Sequence, residues 1–315
     1  MCPGLSINRG VSDLLKIISA VLVMFSHYYN LKAQAGYILN PIEWALRSQG
    51  GNVGVAVFFF LSGYGLMMSE LKRHLNFKEF LKKRFLKVYL PVLLVTLIWL
   101  PIYYSITPPH CNSVIFADLL YKFGDPVLWF IRVLVLMYVG FYVFTLILTK
   151  NKLAAIGLLW ISTTIVCIIS YYSNGSFGLN SISGIPLFSV GVILALFSSR
   201  YIKGMHVALF SLVLSFLCVS ITMYFHDRFF ENLMHVIADY SVVGAIIVTL
   251  SRWNIAIKVP SLLALITFDI YLVHFKVLTF MQSITPELPI LMFLMVTLFI
   301  SISFYMIRTK LIRFN

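Results

Sequence analysis

Two residues near the amino terminus have the types and the spacing to act on one ligand. In the run Asp13-Leu-Leu-Lys16-Ile-Ile-Ser-Ala-Val-Leu-Val-Met-Phe-Ser-His27, the eleven steps from Lys16 to His27 close to about 20° off three full helical turns. Asp13, Lys16 and His27 therefore share one helix face. At a rise of about 1.5 Å per residue the cation and the imidazole stand about 16 Å apart. That arrangement offers a charge near the inner end of the helix and a titratable group at depth, and an imidazole takes up and returns a proton near neutral pH. The competing account is structural. Asp13 and Lys16 would pair at the helix end, and His27 would only hydrogen-bond a neighbour.

Further along, Gly54-Val-Ala-Val-Phe58-Phe59-Phe60-Leu-Ser62-Gly63-Tyr64-Gly65 offers Ser62 as a nucleophile, or its small residues as a close helix contact. The basic run Lys82-Lys83-Arg84-Phe-Leu-Lys87 suits phosphate groups, and equally suits a cytoplasmic loop. Arg132 follows Trp129-Phe130-Ile131, and Asp269-Ile-Tyr271-Leu-Val-His274-Phe-Lys276 gathers ionisable groups in another apolar stretch. Asp239 is a further isolated polar residue.

The elements that must position these residues are membrane helices. Of 315 residues 60% are hydrophobic and only 11% charged, and a water-soluble core of this length needs far fewer apolar residues. A bilayer core takes about 20 apolar residues of helix, since each backbone N–H and C=O must be paired within the segment. Such segments fall at 13–30, 50–70, 88–106, 126–148, 153–172, 182–198, 205–225, 233–250, 260–281 and 288–307. The expected fold is all-α, a polytopic transmembrane bundle of about ten helices forming a single domain over 1–315. The stretches 31–49, 71–87 and 107–125 are expected to be loops or surface helices.

The first segment runs into Ser26-His27-Tyr28-Tyr29 without a small-x-small cleavage site, so it is expected to stay attached. With the amino terminus inside, the outer side holds only Lys32, Arg47, Lys122 and Arg228, and Arg132 and Lys276 lie within helices, leaving 18 of the 24 Lys and Arg on the inner side. The positive-inside rule then places both termini in the cytoplasm. The same distribution accounts for the net charge of +13 without nucleic acid, which is not an expected partner. The cysteines Cys2, Cys111, Cys167 and Cys218 show neither metal-ligand spacing nor a disulfide framework, and no metal is expected.

Taken together and in order, these stretches resemble the acyltransferase 3 family, bacterial multi-helix membrane proteins that typically O-acetylate extracytoplasmic glycans from a cytoplasmic acyl-CoA. The resemblance is carried by Lys16 and His27 with ten residues between them, by Gly54 through Phe58-Phe59-Phe60-Leu61-Ser62-Gly63-Tyr64, by the basic run closing on Pro91, and by Ile270-Tyr271-Leu272-Val273-His274, with Trp129-Phe130 and Tyr138 as a weaker fifth. One departure stands out. The family usually has arginine where this chain has Lys16, which keeps the charge and loses the bidentate fork.

The resemblance implies an inner-membrane O-acyltransferase with acyl-CoA, acetyl-CoA above all, as donor substrate and no permanently bound cofactor. The acceptor would be an extracytoplasmic glycan or lipid-linked saccharide, with membrane lipids around the bundle. The donor nucleotide would stay among Lys16, Lys83, Arg84 and Lys87, with Arg132 as a further binding cation, while the thioester reaches His27. His27 would serve either as general base for a direct transfer or as the carrier of the acyl group. Ser62, Asp13, Asp239, Asp269, Tyr271 and His274 would support the site; Asp13 lies too far along its helix to orient His27. The alternative from another class is a transporter or exporter of a glycan or lipid-linked saccharide, since intramembrane ionisable residues also build transport pathways.

Overall fold

A computed structural model describes residues 7–106, 129–172, 179–197, 206, 209–213, 215–217, 229–252, 257–285 and 288–313. Among them all regular structure is helical, as a chain that must satisfy its own backbone in lipid requires. The helices are α1 (Arg9–Gln34), α2 (Pro41–Lys72), α3 (Phe77–Arg84, a π-helical turn Phe85–Tyr89, then Leu90–Ile106), α4 (Trp129–Leu148), α5 (Lys152–Tyr172), α6 (Ile185–Leu196), α7 (Phe229–Arg252), α8 (Ser261–Ile284) and α9 (Ile290–Arg313). The expected segment 205–225 and the stretch 107–125 lie largely or wholly outside the described residues.

Seven of these helices are long and apolar enough to cross a membrane, α1 to α5, α8 and α9, and two shorter apolar helices, Ile182–Leu196 and Leu233–Thr249, accompany them. The chain is a polytopic membrane bundle. Its surface agrees with lipid as solvent: Phe299, Leu291, Met295 and Phe210 are all more than two-thirds exposed, a cost in water that hydrocarbon removes.

Two helices start earlier than the apolar windows imply. Asn40 accepts from the backbone N–H of Ile42 and Glu43, and Glu43 Oε2 accepts from the Asn40 N–H at 3.0 Å, a complete capping box with Pro41 at the first helical position. It starts α2 well before residue 50. Asn76 likewise accepts from Glu79 N–H and starts α3 at Phe77. Each of these two helices is interrupted by one π-helical turn, Leu46–Gly50 in α2 and Phe85–Tyr89 in α3.

The chain divides into two compact units, Met1–Leu75 with Arg132–Pro260 and Asn76–Ile131 with Ser261–Asn315. In the first unit α6 is the core, with every residue from Ile185 to Ala195 buried. Its backbone touches that of α2: a Cβ placed on Gly63 would lie 2.0 Å from Phe188 O, and one on Gly191 would lie 2.1 Å from Phe60 O. Only glycine allows that approach. Around it Phe59, Phe60, Met67, Phe141, Phe144 and Phe188 are fully buried, Tyr138 and Phe141 of α4 bring their rings to 6.4 and 6.5 Å from Phe188, and Thr163 of α5 hydrogen-bonds Ser189 at 2.7 Å.

The second unit is built on the α8–α9 hairpin with α3 against it. The three helices border an apolar groove of about 560 Å³, lined by Trp99, Val277, Phe280, Met281 and Phe299 among others, with Lys276, Thr285 and Ser303 as its polar members.

Candidate active site

On α1 the expected pairing of the first turn is present. Lys16 Nζ lies 3.0 Å from Asp13 Oδ1, and Arg9 Nε lies 3.7 Å from Asp13 Oδ2. The Lys16 side chain is still 37% exposed, so the ion pair contributes little and leaves the ammonium within reach of a ligand. His27 is half-buried in the same helix.

Its height in the unit follows from its neighbours. Ser26 Oγ donates to Arg47 O at 2.9 Å, and glycines at 50 and 51 bring α2 against α1, where an added Cβ would meet Leu22 O and Ser26 Oγ at 2.9 Å each. His27, the residue after Ser26, is thereby held level with Gln49–Asn52 of α2. The π turn Leu46–Gly50 lies in this stretch, and such turns rotate the residues they carry relative to the rest of the helix.

On the other side of α2 at the same height stands His235, a residue the sequence reading passed over. It is buried, and its Nδ1 lies 2.7 Å from Asn52 Nδ2 and 2.8 Å from Gln49 Oε1. One turn further along α7 is Asp239. The expectation of an isolated polar group is refined here, because Ser183 Oγ donates to Asp239 Oδ2. Ser183 comes from the 3₁₀ turn Leu179–Gly184 ahead of α6, and Gly184 packs against Ala56 of α2. The signal that could have found His235 was its spacing of four from Asp239, which puts both on one face of a helix. Ser62 is half-buried beside Gly63, in the stretch where α2 touches α6. Arg132 is half-buried near the start of α4.

In the second unit Lys83, Arg84 and Lys87 occupy the start of α3, close enough for Lys83 and Arg84 to bear on the charge of Lys87. Arg84 lies over the Phe80 ring at 5.5 Å. Lys87 sits in the second π turn.

Asp269, Tyr271 and His274 are buried in α8. Arg308 of α9 grips Asp269 with two contacts, Nε to Oδ1 at 2.9 Å and Nη2 to Oδ2 at 2.6 Å, while the Tyr271 ring meets Phe130 edge-on at 5.4 Å. His274 Nδ1–H donates to Tyr271 O at 2.7 Å, which fixes its tautomer. These contacts are of the kind that hold helices together. Arg308 also appears in the count of inner-side cations, and its partner 39 residues away is not visible in local sequence.

An imidazole half-buried in a membrane helix, with a reachable lysine three turns below it and a buried histidine held by two amides at the imidazole's level, has the groups that proton transfer to or from a bound ligand requires. No curated protein and no solved structure matches the chain. A family model does: the one described as "Acyltransferase domain" matches residues 11–308, a stretch that takes in His27, Lys16, His235, the helices α2 to α8 and most of α1 and α9. The chain belongs to the acyltransferase 3 family and is a membrane acyltransferase.

Proposed function

We propose that this acyltransferase moves an acyl group, acetyl in the first instance, from cytoplasmic acyl-CoA to a hydroxyl of an extracytoplasmic glycan or lipid-linked saccharide, in the inner membrane of a bacterium. The observation that carries the reading is the placement of His27, half-buried in α1 and about 16 Å along that helix from a partly exposed cation of the same face.

The chemistry assigned to His27 is that of a general base. The acceptor O–H gives its proton to the imidazole as its oxygen attacks the thioester carbon; the C–S bond breaks, a C–O ester bond forms, and the proton passes from the imidazolium to the departing coenzyme A thiolate. In the two-step form the imidazole nitrogen attacks the thioester carbon, the C–S bond breaks and the coenzyme A thiolate leaves with the imidazole's proton; the acceptor oxygen then attacks the acyl-imidazole, the C–N bond breaks, and the hydroxyl proton returns to the imidazole. The donor's phosphates are assigned to Lys16. The Lys83, Arg84 and Lys87 face of the second unit offers the same chemistry, and removing charge there is a separate test.

The decisive experiment incubates purified protein in liposomes with labelled acetyl-CoA and a crude extract of cell-envelope glycans. Label on the glycan supports the reading. Glycan taken up without label would instead support the transporter.

A further inference from the structure

Beyond His27 the end of α1 meets the start of α2 at Arg47, a residue with no part in the assignment of His27 and Lys16. We infer that Arg47 binds an oxyanion of the acceptor, a carboxylate or a phosphate, and so selects acidic saccharides over neutral ones, an inference that rests on the acyl-transfer reading above.

The first argument is position. Ser26 Oγ donates to Arg47 O at 2.9 Å, and Arg47 Nε donates to Asn30 Oδ1 at 3.3 Å. Arg47 is thus held to α1 at the two residues that flank His27 within one turn. Residues three apart on a helix are surface neighbours, with Cβ atoms about 5–6 Å apart, so a guanidinium resting on Asn30 lies about one turn beyond the imidazole. Lys16 lies on the other side of His27, about 16 Å back along the helix. A cation for each of two substrates therefore stands on either side of the base, and an acceptor gripped by Arg47 has its neighbouring atoms at His27.

The second argument is what Arg47 has left to bind. The residue is exposed, its bond to Asn30 is to a neutral amide, and among the described residues no carboxylate pairs with it. The acid nearest in sequence, Glu43, is taken: its Oε1 holds Lys32 at 3.0 Å and its Oε2 accepts from Asn40 N–H at 3.0 Å. Lys32 is in turn satisfied, over the rings of Tyr29 and Tyr37 at 5.9 Å each. Of these two neighbouring cations Arg47 is the one whose charge is uncompensated, and its terminal NH₂ groups form the fork that matches a carboxylate or a phosphate.

The third argument is setting. In the connection from α1 to α2 and the first turn of α2, Ile38 is 97% exposed, Ile42 73% and Trp44 58%, with Tyr37 exposed beside them. Apolar and aromatic side chains of this kind collect at the membrane–water boundary. An ion pair on a surface in open water contributes little, and one at the boundary is less screened. A neutral sugar gains nothing from that difference, whereas an anionic one does.

The test uses the full-length protein in liposomes of neutral phospholipid, with the envelope-glycan extract separated by anion exchange into a neutral and an acidic fraction. The parent is expected to move label from acetyl-CoA to the acidic fraction. Arg47→Ala and Arg47→Gln are expected to raise the KM for that fraction about tenfold or more with kcat and the KM for acetyl-CoA little changed, and Arg47→Lys to regain part of the loss. Added salt should weaken acceptor binding more in the parent than in Arg47→Ala. Amidating the carboxylates of the acidic fraction, or cleaving its lipid phosphates with mild acid, separates the two sources: the treatment that removes the parent's advantage over Arg47→Ala identifies the anion. An advantage that survives both treatments overturns the inference. So does a KM within twofold of the parent in Arg47→Ala, equal labelling of the neutral fraction by the parent, or an advantage that appears only in liposomes of anionic phospholipid, which would assign the arginine to bilayer headgroups. A fall in kcat alone, or early unfolding of all three variants, makes Arg47 a structural support and overturns it as well. If the parent labels neither fraction, the acyl-transfer reading fails and takes this inference with it, a failure seen in the parent and not in the variants.

Discussion

Arg308 closes on Asp269 across the α8–α9 hairpin through two N–H···O contacts of 2.9 and 2.6 Å, with the carboxylate wholly buried and the guanidinium 13% exposed. Removing one partner strands a charge in the protein interior, whereas replacing both does not. Asp269→Ala should therefore destabilise the protein by about 3–5 kcal/mol, and the double variant Asp269→Leu with Arg308→Met by much less. Thermal unfolding in detergent measures both. Equal losses in the single and double variants would contradict a purely structural pair.

That pair also shows what the sequence conveys and what it withholds. The apolar stretches mark the helices because lipid admits few alternatives, and Asp269 is visible as a costly residue within one of them. Its partner is not, because antiparallel helices bring residues together at separations that depend on the length of the turn between them. The same limit hid the grouping of Asp239 with Ser183, and of His235 with Gln49 and Asn52. The early starts of α2 and α3 were legible in principle: Asn40-Pro41-Ile42-Glu43 is a capping box written in the chain, but a hydropathy window discards polar first turns. The two π turns leave no comparable mark, and they carry Gln49 and Lys87.

His27→Ala should lower transfer of label by about a hundredfold or more, the usual contribution of a general base. Because His27 is only half-buried, the variant should unfold within a few degrees of the parent. Wild-type turnover in a folded His27→Ala protein would remove the central assignment.

Lys16→Ala should raise the KM for acyl-CoA with kcat little changed, and Lys16→Arg should match or improve on the parent, since arginine grips phosphate with a fork. The carboxylate of Asp13, 3.0 Å from the ammonium, competes with phosphate for it. Asp13→Asn is accordingly expected to lower that KM. An unchanged KM in Lys16→Ala would shift attention to Lys83, Arg84 and Lys87, whose alanine variants form the complementary set.

Adjacent positions in α2 should behave in opposite ways. Ser62→Ala should retain transfer, since the stretch is a helix contact and the reaction assigned above needs no serine. Gly63→Val should fail to fold or unfold far earlier, because even its Cβ would meet Phe188 O at 2.0 Å and neither backbone has room to retreat in a closely packed core. Loss of activity in a well-folded Ser62→Ala protein would restore the serine as a nucleophile.

The last prediction concerns direction. With 18 of the 24 Lys and Arg assigned to one side, the positive-inside rule leads us to expect that side to be the cytoplasmic one, and the proposed polyanionic donor would be drawn from it. On that assignment the connection between α2 and α3 and the cations of Lys82 to Lys87 belong to it. Coenzyme A phosphates do not enter hydrocarbon, so in sealed vesicles of known orientation membrane-impermeant acyl-CoA should support transfer only when supplied to the face bearing that connection, with the acylated glycan on the opposite face. Orientation is checked independently by protease cleavage at a site inserted between Arg73 and Asn76. Equal activity with donor on either face would rule out transfer across the membrane and leave an acyltransferase whose donor and acceptor meet from the same side.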